Sequence, residues 1–257
     1  RLQRVDDLAL VTIDNGEDWT KPTTFGRHAL ESLERVLDEV EVQQWAGLVL
    51  TGKPFVFAAG ADLDEFPNVS AARARAGSHA GHELFLRLRN LPCPTLAAIN
   101  GACLGGGVEI ALHCDYRTIA SNIRHFACPE VFLGIFPAWG GTQLIPRLVG
   151  AENAVRFVVT NPLRQNKMLD ARTAHELGFA DAVLEPVEFV DESIAWLRAA
   201  PPKREDTDLA DVAEVVARAH VAVDDQTHGA ARAPHVALDL IAGAAAWSLE
   251  DGYRAEE

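Results

Sequence analysis

No stretch of the 257-residue sequence approaches the ~18 consecutive apolar residues that a membrane-spanning helix requires, so none reads as a span. Positive charge is scarce: 23 Lys and Arg against 37 Asp and Glu leave a formal net charge of −14. A field of that sign repels nucleic acid and anionic membranes. It would repel an anionic cofactor as well, so any phosphate-binding site must be local. The four cysteines, Cys93, Cys103, Cys114 and Cys128, form no CxxC pair and lie in apolar surroundings. Buried free thiols in a reducing compartment, the cytoplasm by default, are expected in place of a disulfide or metal site. There is no G-x-G-x-x-G dinucleotide fingerprint, no internal repeat of roughly 20–50 residues and no low-complexity segment. The opening Arg1-Leu2-Gln3-Arg4 lacks an initiator Met, which reads as a trimmed N-terminus, and shows no signal-peptide pattern.

What is present is ordinary globular material, with 48% hydrophobic and 23% charged residues. A chain of this length buries roughly 70–75% of its extended surface and holds a core without staples. Leu8–Asp14 reads as a strand. Leu30, Leu33, Val36, Leu37 and Val40 fall at helical spacing within Arg27–Val40. The short apolar runs Gly47–Thr51 and Thr95–Ile99 read as strands, as do Phe55–Ala58 and Tyr116–Ala120. An amphipathic helix is predicted over Ala71–Arg89, stopped by Pro92 and Pro94, and another over Gly106–Cys114, entered through glycines. This alternation belongs to the α/β class. After about residue 150 helices dominate, at Asn153–Thr160, Ala171–Leu177 and Phe189–Ala199. The Pro- and charge-rich Pro201–Asp206 reads as a linker, followed by helices at Leu209–Val221 and Val236–Leu249.

Three segments could carry chemistry. In Asn100-Gly101-Ala102-Cys103-Leu104-Gly105-Gly106-Gly107-Val108-Glu109, consecutive glycines between a strand and a helix leave backbone N–H groups unobstructed at a helix N-terminus. That suits an anion or a developing oxyanion, and equally a tight turn with close packing. Glu109 in the first helical turn complements the helix dipole with or without catalysis. The second segment, Phe57-Ala58-Ala59-Gly60-Ala61-Asp62-Leu63, follows a strand and could add another backbone donor. The third places Glu130 in an apolar stretch running from Cys128 to Thr142. A buried lone carboxyl there would hold its proton and serve as a donor; a surface glutamate at a strand end is the alternative.

Taken in order, these segments resemble the crotonase superfamily, the enoyl-CoA hydratases and isomerases, across roughly residues 8–190. The resemblance implies an α/β fold, a crotonase-like spiral of ββα turns over residues 1–190, with a C-terminal α-helical region at 191–257 that builds oligomers. It implies an oxyanion hole from the N–H groups of Ala61 and Gly106, and Glu109 and Glu130 as the catalytic pair. Ala59, Gly60, Asp62, Leu63, Gly105, Trp139 and Gly140 are the implied substrate contacts. The aromatic residue before Gly140-Gly141, and the tail from Pro234 to Glu250, are similar to the hydratase half of bacterial multifunctional β-oxidation proteins. Two departures stand out. Lys21-Pro22-Thr23-Thr24-Phe25-Gly26 replaces the usual Asn-Ala-Leu, and Ala138-Trp139 stands where small residues or Gly-Phe are commoner. The second implies an acyl pocket of altered shape.

The expected reaction is syn addition of water to a trans-2-enoyl-CoA thioester, giving a 3-hydroxyacyl-CoA, in fatty-acid β-oxidation or related acyl-CoA catabolism. Coenzyme A enters as part of the substrate, and no further cofactor, metal, nucleic acid or membrane is expected. A homotrimer or dimer of trimers is the implied assembly. An isomerase of the same fold needs only one carboxylate, and a non-catalytic binding or scaffold subunit needs none. Gly101-Ala102-Cys103-Leu104-Gly105 also fits a nucleophile elbow with Cys in the Ser place, but leaves Gly60 and Glu130 without a role. His79, His82 and Glu83, at helical spacing, could share a metal and are expected on a solvated face.

Overall fold

The computed structural model describes residues 1–18, 20–66 and 69–257. Strands β1 (Leu2–Val5) and β2 (Leu8–Ile13) form an antiparallel hairpin. From there the chain winds in repeating turns of strand, strand and helix. After α1 (Arg27–Glu41) come β3 (Gly47–Gly52), β4 (Phe55–Ala58) and α2 (Ala71–Arg89). The next turn is β5 (Thr95–Ile99), β6 (Gly101–Leu104) and α3 (Gly106–Leu112). The third is β7 (Tyr116–Ala120), β8 (Phe126–Ala127), a 3-10 turn at Glu130–Leu133 and α4 (Gly141–Val149). A mixed helical stretch follows: α5 (Ala151–Val155) passes through a π-helical turn at Arg156–Thr160 into α6 (Asn161–Leu163), and α7 (Ala171–Glu176) leads to β9 (Ala182–Leu184). Then come α8 (Phe189–Arg198), α9 (Val212–Thr227), α10 (Ala233–Gly243) and α11 (Leu249–Glu256).

The first strand of each turn joins a six-stranded sheet of order β1-β2-β3-β5-β7-β9, parallel except at β1. The second strand of each turn joins a three-stranded parallel sheet, β4-β6-β8. Strands β3 and β5 are buried at every residue, which is why GLVLTG and TLAAI show no alternation. A parallel strand covered on both faces has no solvent side to accept polar residues. This is the crotonase-type α/β spiral with a C-terminal helical region.

Two expectations need correction in the C-terminal part. The helix predicted over Val236–Leu249 ends at Gly243, where the chain folds back, and a separate helix, α11, begins only at Leu249. The Trp247 indole lies where a Cβ on Gly243 would stand, 2.1 Å away. Ser248 then caps α11, its Oγ accepting from Asp251 N–H at 3.1 Å. The segment Pro201–Asp206 has no regular structure, but it is strapped to the core. Tyr116 donates to the Pro201 carbonyl at 2.6 Å, Lys203 pairs with Asp115 at 2.7 Å and Arg204 with Asp181 at 3.0 Å. Among the described residues, no helix is long and apolar enough to cross a membrane.

Candidate active site

Strands β4, β6 and β8 run in the same direction and end side by side, with Ala58 opposite Cys103 and Leu104 opposite Ala127. The three segments singled out in the sequence are the residues that leave these carboxyl ends, where parallel sheets commonly present their ligand sites. Two of the exits need glycine: Gly60 has φ +82° and Gly105 φ +53°. At Gly105 space is short too, since a Cβ would lie 2.5 Å from Glu130 Oε1.

Beyond Gly60, the chain pairs with the segment at Phe25. Phe25 N–H donates to the Gly60 carbonyl at 2.8 Å, and Asp62 N–H to the Phe25 carbonyl at 3.3 Å. This turns the Ala61 N–H away from its neighbour, and it has no acceptor among the described residues. Gly106 opens α3, so its N–H is one of the orphan donors of a helix N-terminus. Both N–H groups lie at the edge of one cavity of about 1150 Å³, whose lining includes Ala61, Asp62, Gly106, Glu109, Glu130 and Trp139. Ala59, Gly60, Leu63, Gly105 and Gly140 stand behind or beside this lining. Ala59 N–H is spent on the Thr23 carbonyl, Gly140 N–H on Glu256, and Leu63 is 51% exposed on a 3-10 turn.

The two glutamates reach the cavity from different elements. Glu109, on the first turn of α3, accepts at Oε1 from Trp139 N–H at 2.8 Å and Gly141 N–H at 2.9 Å. Glu130 opens its 3-10 turn, and its buried Oε2 has no partner among the described residues. Burial pushes the Glu130 carboxyl up to about 7. Burial, then the charges of Glu130 and Glu256, push Glu109 well above the usual carboxylate range, against the pull of its two N–H donors. Two carboxyls in one dry site do not both ionise readily. Proton affinity is therefore raised at both, and what the pair retains belongs to both residues together.

An aromatic wall closes the inner side. Trp139 meets Phe85 and Phe25 edge to face, with ring centroids 5.5 and 6.1 Å away. Its indole is seated on two glycines: a Cβ on Gly81 would stand 2.2 Å from Nε1, and one on Gly106 2.4 Å from Cζ3. Phe25, from the departure noted in the N-terminal segment, is thus part of the site's floor.

One sequence expectation changes here, and one is met. His82 is not on a solvated face: it is 1% exposed, and its Nε2 lies 2.7 Å from Glu256 Oε2. His79 is exposed and bonds Glu257, so the histidines serve the C-terminal helix. Cys103 is fully buried and its thiol is pushed up by that burial; a nucleophile needs an accessible thiolate, and the elbow reading ends there. Glu256, Tyr253 and His113, all packed behind Glu109, went unread in the sequence. Ser248-Leu249-Glu250-Asp251, a helix-starting Ser-x-x-Asp, was the signal available for the helix that carries two of them.

Two proton-holding carboxyls and two unspent backbone donors at the edge of one cavity define a site for acid/base chemistry beside a polarised carbonyl. The chain belongs to the enoyl-CoA hydratase/isomerase family, whose model matches residues 6–227. It is 42% identical over 182 residues to a fatty acid oxidation complex subunit alpha of Aliivibrio fischeri, covering 69% of this chain and 26% of that protein. A protein of the same name from Idiomarina loihiensis is 32% identical over 251 residues, covering 90% of this chain and 34% of the relative. The chain thus spans about a quarter to a third of the length of these relatives. Among solved structures, Pseudomonas aeruginosa DspI is 30% identical with a TM-score of 0.69, covering 91% of this chain and 88% of that one. An enoyl-CoA hydratase from Thermoplasma volcanium shares the fold, with a TM-score of 0.70 at 21% identity over 100% of this chain and 88% of the other.

Proposed function

We propose that this chain is an enoyl-CoA hydratase, adding water in the syn sense across a trans-2-enoyl-CoA to give a 3-hydroxyacyl-CoA in fatty-acid β-oxidation or related acyl-CoA catabolism. The observation that carries this reading is the pair Glu109 and Glu130: two buried carboxyls with raised proton affinity lining one cavity. Hydration needs attention at two atoms, the attacking water and C2, whereas moving a double bond needs one proton shuttle. The substrate carbonyl would accept hydrogen bonds from Ala61 and Gly106 N–H. As water attacks C3, negative charge would move onto that oxygen, and one such preorganised donor is typically worth ~3–4 kcal/mol. Glu109, with two N–H donors on Oε1, would orient the water and take its proton. Glu130, with no donor on Oε2, would deliver the retained proton to C2.

The cavity's entrance supports a phosphate-bearing substrate in a particular way. Arg27, Arg73 and Arg232 line it without a side-chain partner among the described residues, and the acidic Glu31 and Glu34 line it as well. Single arginines, not a broad positive field, would hold the coenzyme. Phe132 and Leu133 are 58% and 47% exposed beside Glu130, an apolar patch that assembly as a trimer or dimer of trimers would cover. The test is incubation with crotonyl-CoA, following loss of the enoyl-thioester absorbance and formation of 3-hydroxybutyryl-CoA. Glu109→Gln and Glu130→Gln should each lower kcat by at least ~10²-fold, with KM little changed. Wild type that never hydrates crotonyl-CoA but converts a 3-enoyl-CoA, with Glu109→Gln still active, would make the chain an isomerase.

A further inference from the structure

The first turn of α4 has no side-chain cap of its own, its N-cap being Gly140. Its orphan N–H groups are taken by two carboxylates from distant parts of the chain, in alternation. Trp139 N–H donates to Glu109 Oε1 at 2.8 Å and Gly140 N–H to Glu256 Oε2 at 2.7 Å. Gly141 N–H donates to Glu109 Oε1 at 2.9 Å and Thr142 N–H to Glu256 Oε1 at 3.1 Å. The Thr142 hydroxyl and His82 Nε2 complete the shell of Glu256, which is 3% exposed.

One turn earlier on α11, Tyr253 makes a second link. Its hydroxyl lies 2.7 Å from His113 Nε2, and His113 Nδ1 lies 2.7 Å from the Glu109 carbonyl. A carbonyl only accepts, so Nδ1 carries the hydrogen and Nε2 accepts from Tyr253. Burial holds His113 neutral by pushing it down to about 3, which keeps that tautomer in place. α11 therefore reaches Glu109 twice, at its backbone through Tyr253 and at its carboxylate through Glu256.

We infer that Glu256 is a positioning residue for the Glu109 carboxylate: by holding the Gly140 and Thr142 N–H groups, it sets the turn whose other two N–H groups hold Glu109 Oε1. The inference rests on the acid/base reading of Glu109. In a reaction that needs the carboxylate aimed at one water, a misplacement of about 1 Å can cost ~10²-fold. Glu256 also adds its charge to that of Glu130 in raising Glu109. The other titratable groups around the two carboxylates are His82 from α2, His113 at the end of α3, Cys128 just before Glu130, and Tyr253 and Glu257 at the C-terminal end, with Arg89 and Arg147 acting on Tyr253.

The test compares Glu256→Gln, Glu256→Asp and Glu109→Gln on crotonyl-CoA, with Glu250→Gln, an exposed α11 residue paired with Arg254, as control. Circular dichroism and Tm establish folding. In Glu256→Gln, the amide nitrogen faces N–H donors and the charge is gone. Its kcat should fall at least about 10-fold with KM within about 3-fold, and the acid limb of kcat should move to lower pH. A role confined to stability would leave that limb in place. Glu256→Asp keeps the charge but is one methylene short, so kcat should fall while the limb stays; it carries the test if Glu256→Gln does not fold. Wild-type kcat in folded Glu256→Asp, or wild-type kcat and pH profile in folded Glu256→Gln, overturns the inference alone, provided Glu109→Gln is inactive. Full turnover in Glu109→Gln removes the acid/base reading and this inference with it.

Discussion

At the scale of single residues, the site stores proton affinity at the expense of stability. Glu130 is raised from the ordinary 4.5 to about 7 by burial, so between those values the folded chain binds a proton that the unfolded chain has released. Stability from this group is fully present below about pH 4.5 and is lost as pH rises through about 7. Glu130→Gln keeps the shape without the titration. Urea unfolding should therefore find the variant gaining on wild type as pH rises from 4.5 to 8, and a difference that does not vary with pH would refute the burial argument. The two glutamates were legible in the sequence because each sits in a short segment with glycines or apolar neighbours around it. What holds them was not: the donors to Glu109 come from Trp139 and Gly141 backbone, and a main-chain N–H carries no residue-type signal.

At the scale of elements, the packing of α2 against the turn before α4 depends on the missing side chain at Gly81. Glycine within a helix is worth about 1 kcal/mol less than alanine, so Gly81→Ala would stabilise α2 in isolation. Here the new methyl meets the Trp139 indole. Overpacking of this kind costs ~1–3 kcal/mol. Gly81→Ala should lower Tm and kcat in the wild-type background, and the Tm cost should largely vanish when Trp139→Ala is also present. Additive effects in that double-mutant cycle would mean the indole is not seated as described. Trp139→Gly should also shift kcat/KM towards longer or branched acyl chains; an unchanged ratio across a chain-length series would remove Trp139 from substrate choice. Elements with strong local patterns were readable to the residue: α2, β5 and β7 have their predicted bounds. β6 and β8 were missed as strands because four and two residues are too few to show a period. α11 was missed because Ala244 and Ala246 blur the end of α10, and the chain reversal is made by Trp247 folding onto Gly243, a contact with no periodic signature.

At the scale of the whole molecule, the net charge of −14 sets how an anionic substrate can approach. For the proposed acyl-CoA substrate a net field of that sign gives no long-range attraction, and recognition would fall to individual arginines such as Arg73, which lines the cavity. Arg73→Ala should raise KM for crotonyl-CoA several-fold, matching the ~1 kcal/mol of an exposed charge pair, with kcat unchanged. KM for the pantetheine thioester, which lacks the nucleotide phosphates, should not move. An equal rise for both thioesters would place Arg73 elsewhere in the binding problem.

The three parallel strand ends have a further consequence, for how the chain comes to work at all. The site draws on residues 61, 106, 109, 130 and 139, and the segments carrying Ala61, Gly106, Glu109 and Glu130 are brought together by β4, β6 and β8 closing into one sheet. The clamp from residue 256 adds a closure across 114 residues to Thr142. Each closure must pay its chain entropy before it returns any contact energy. Secondary structure and collapsed core can form without them. In the proposed reading, activity would therefore report the completion of folding, not its progress, because the glutamates can work together only once those closures are made.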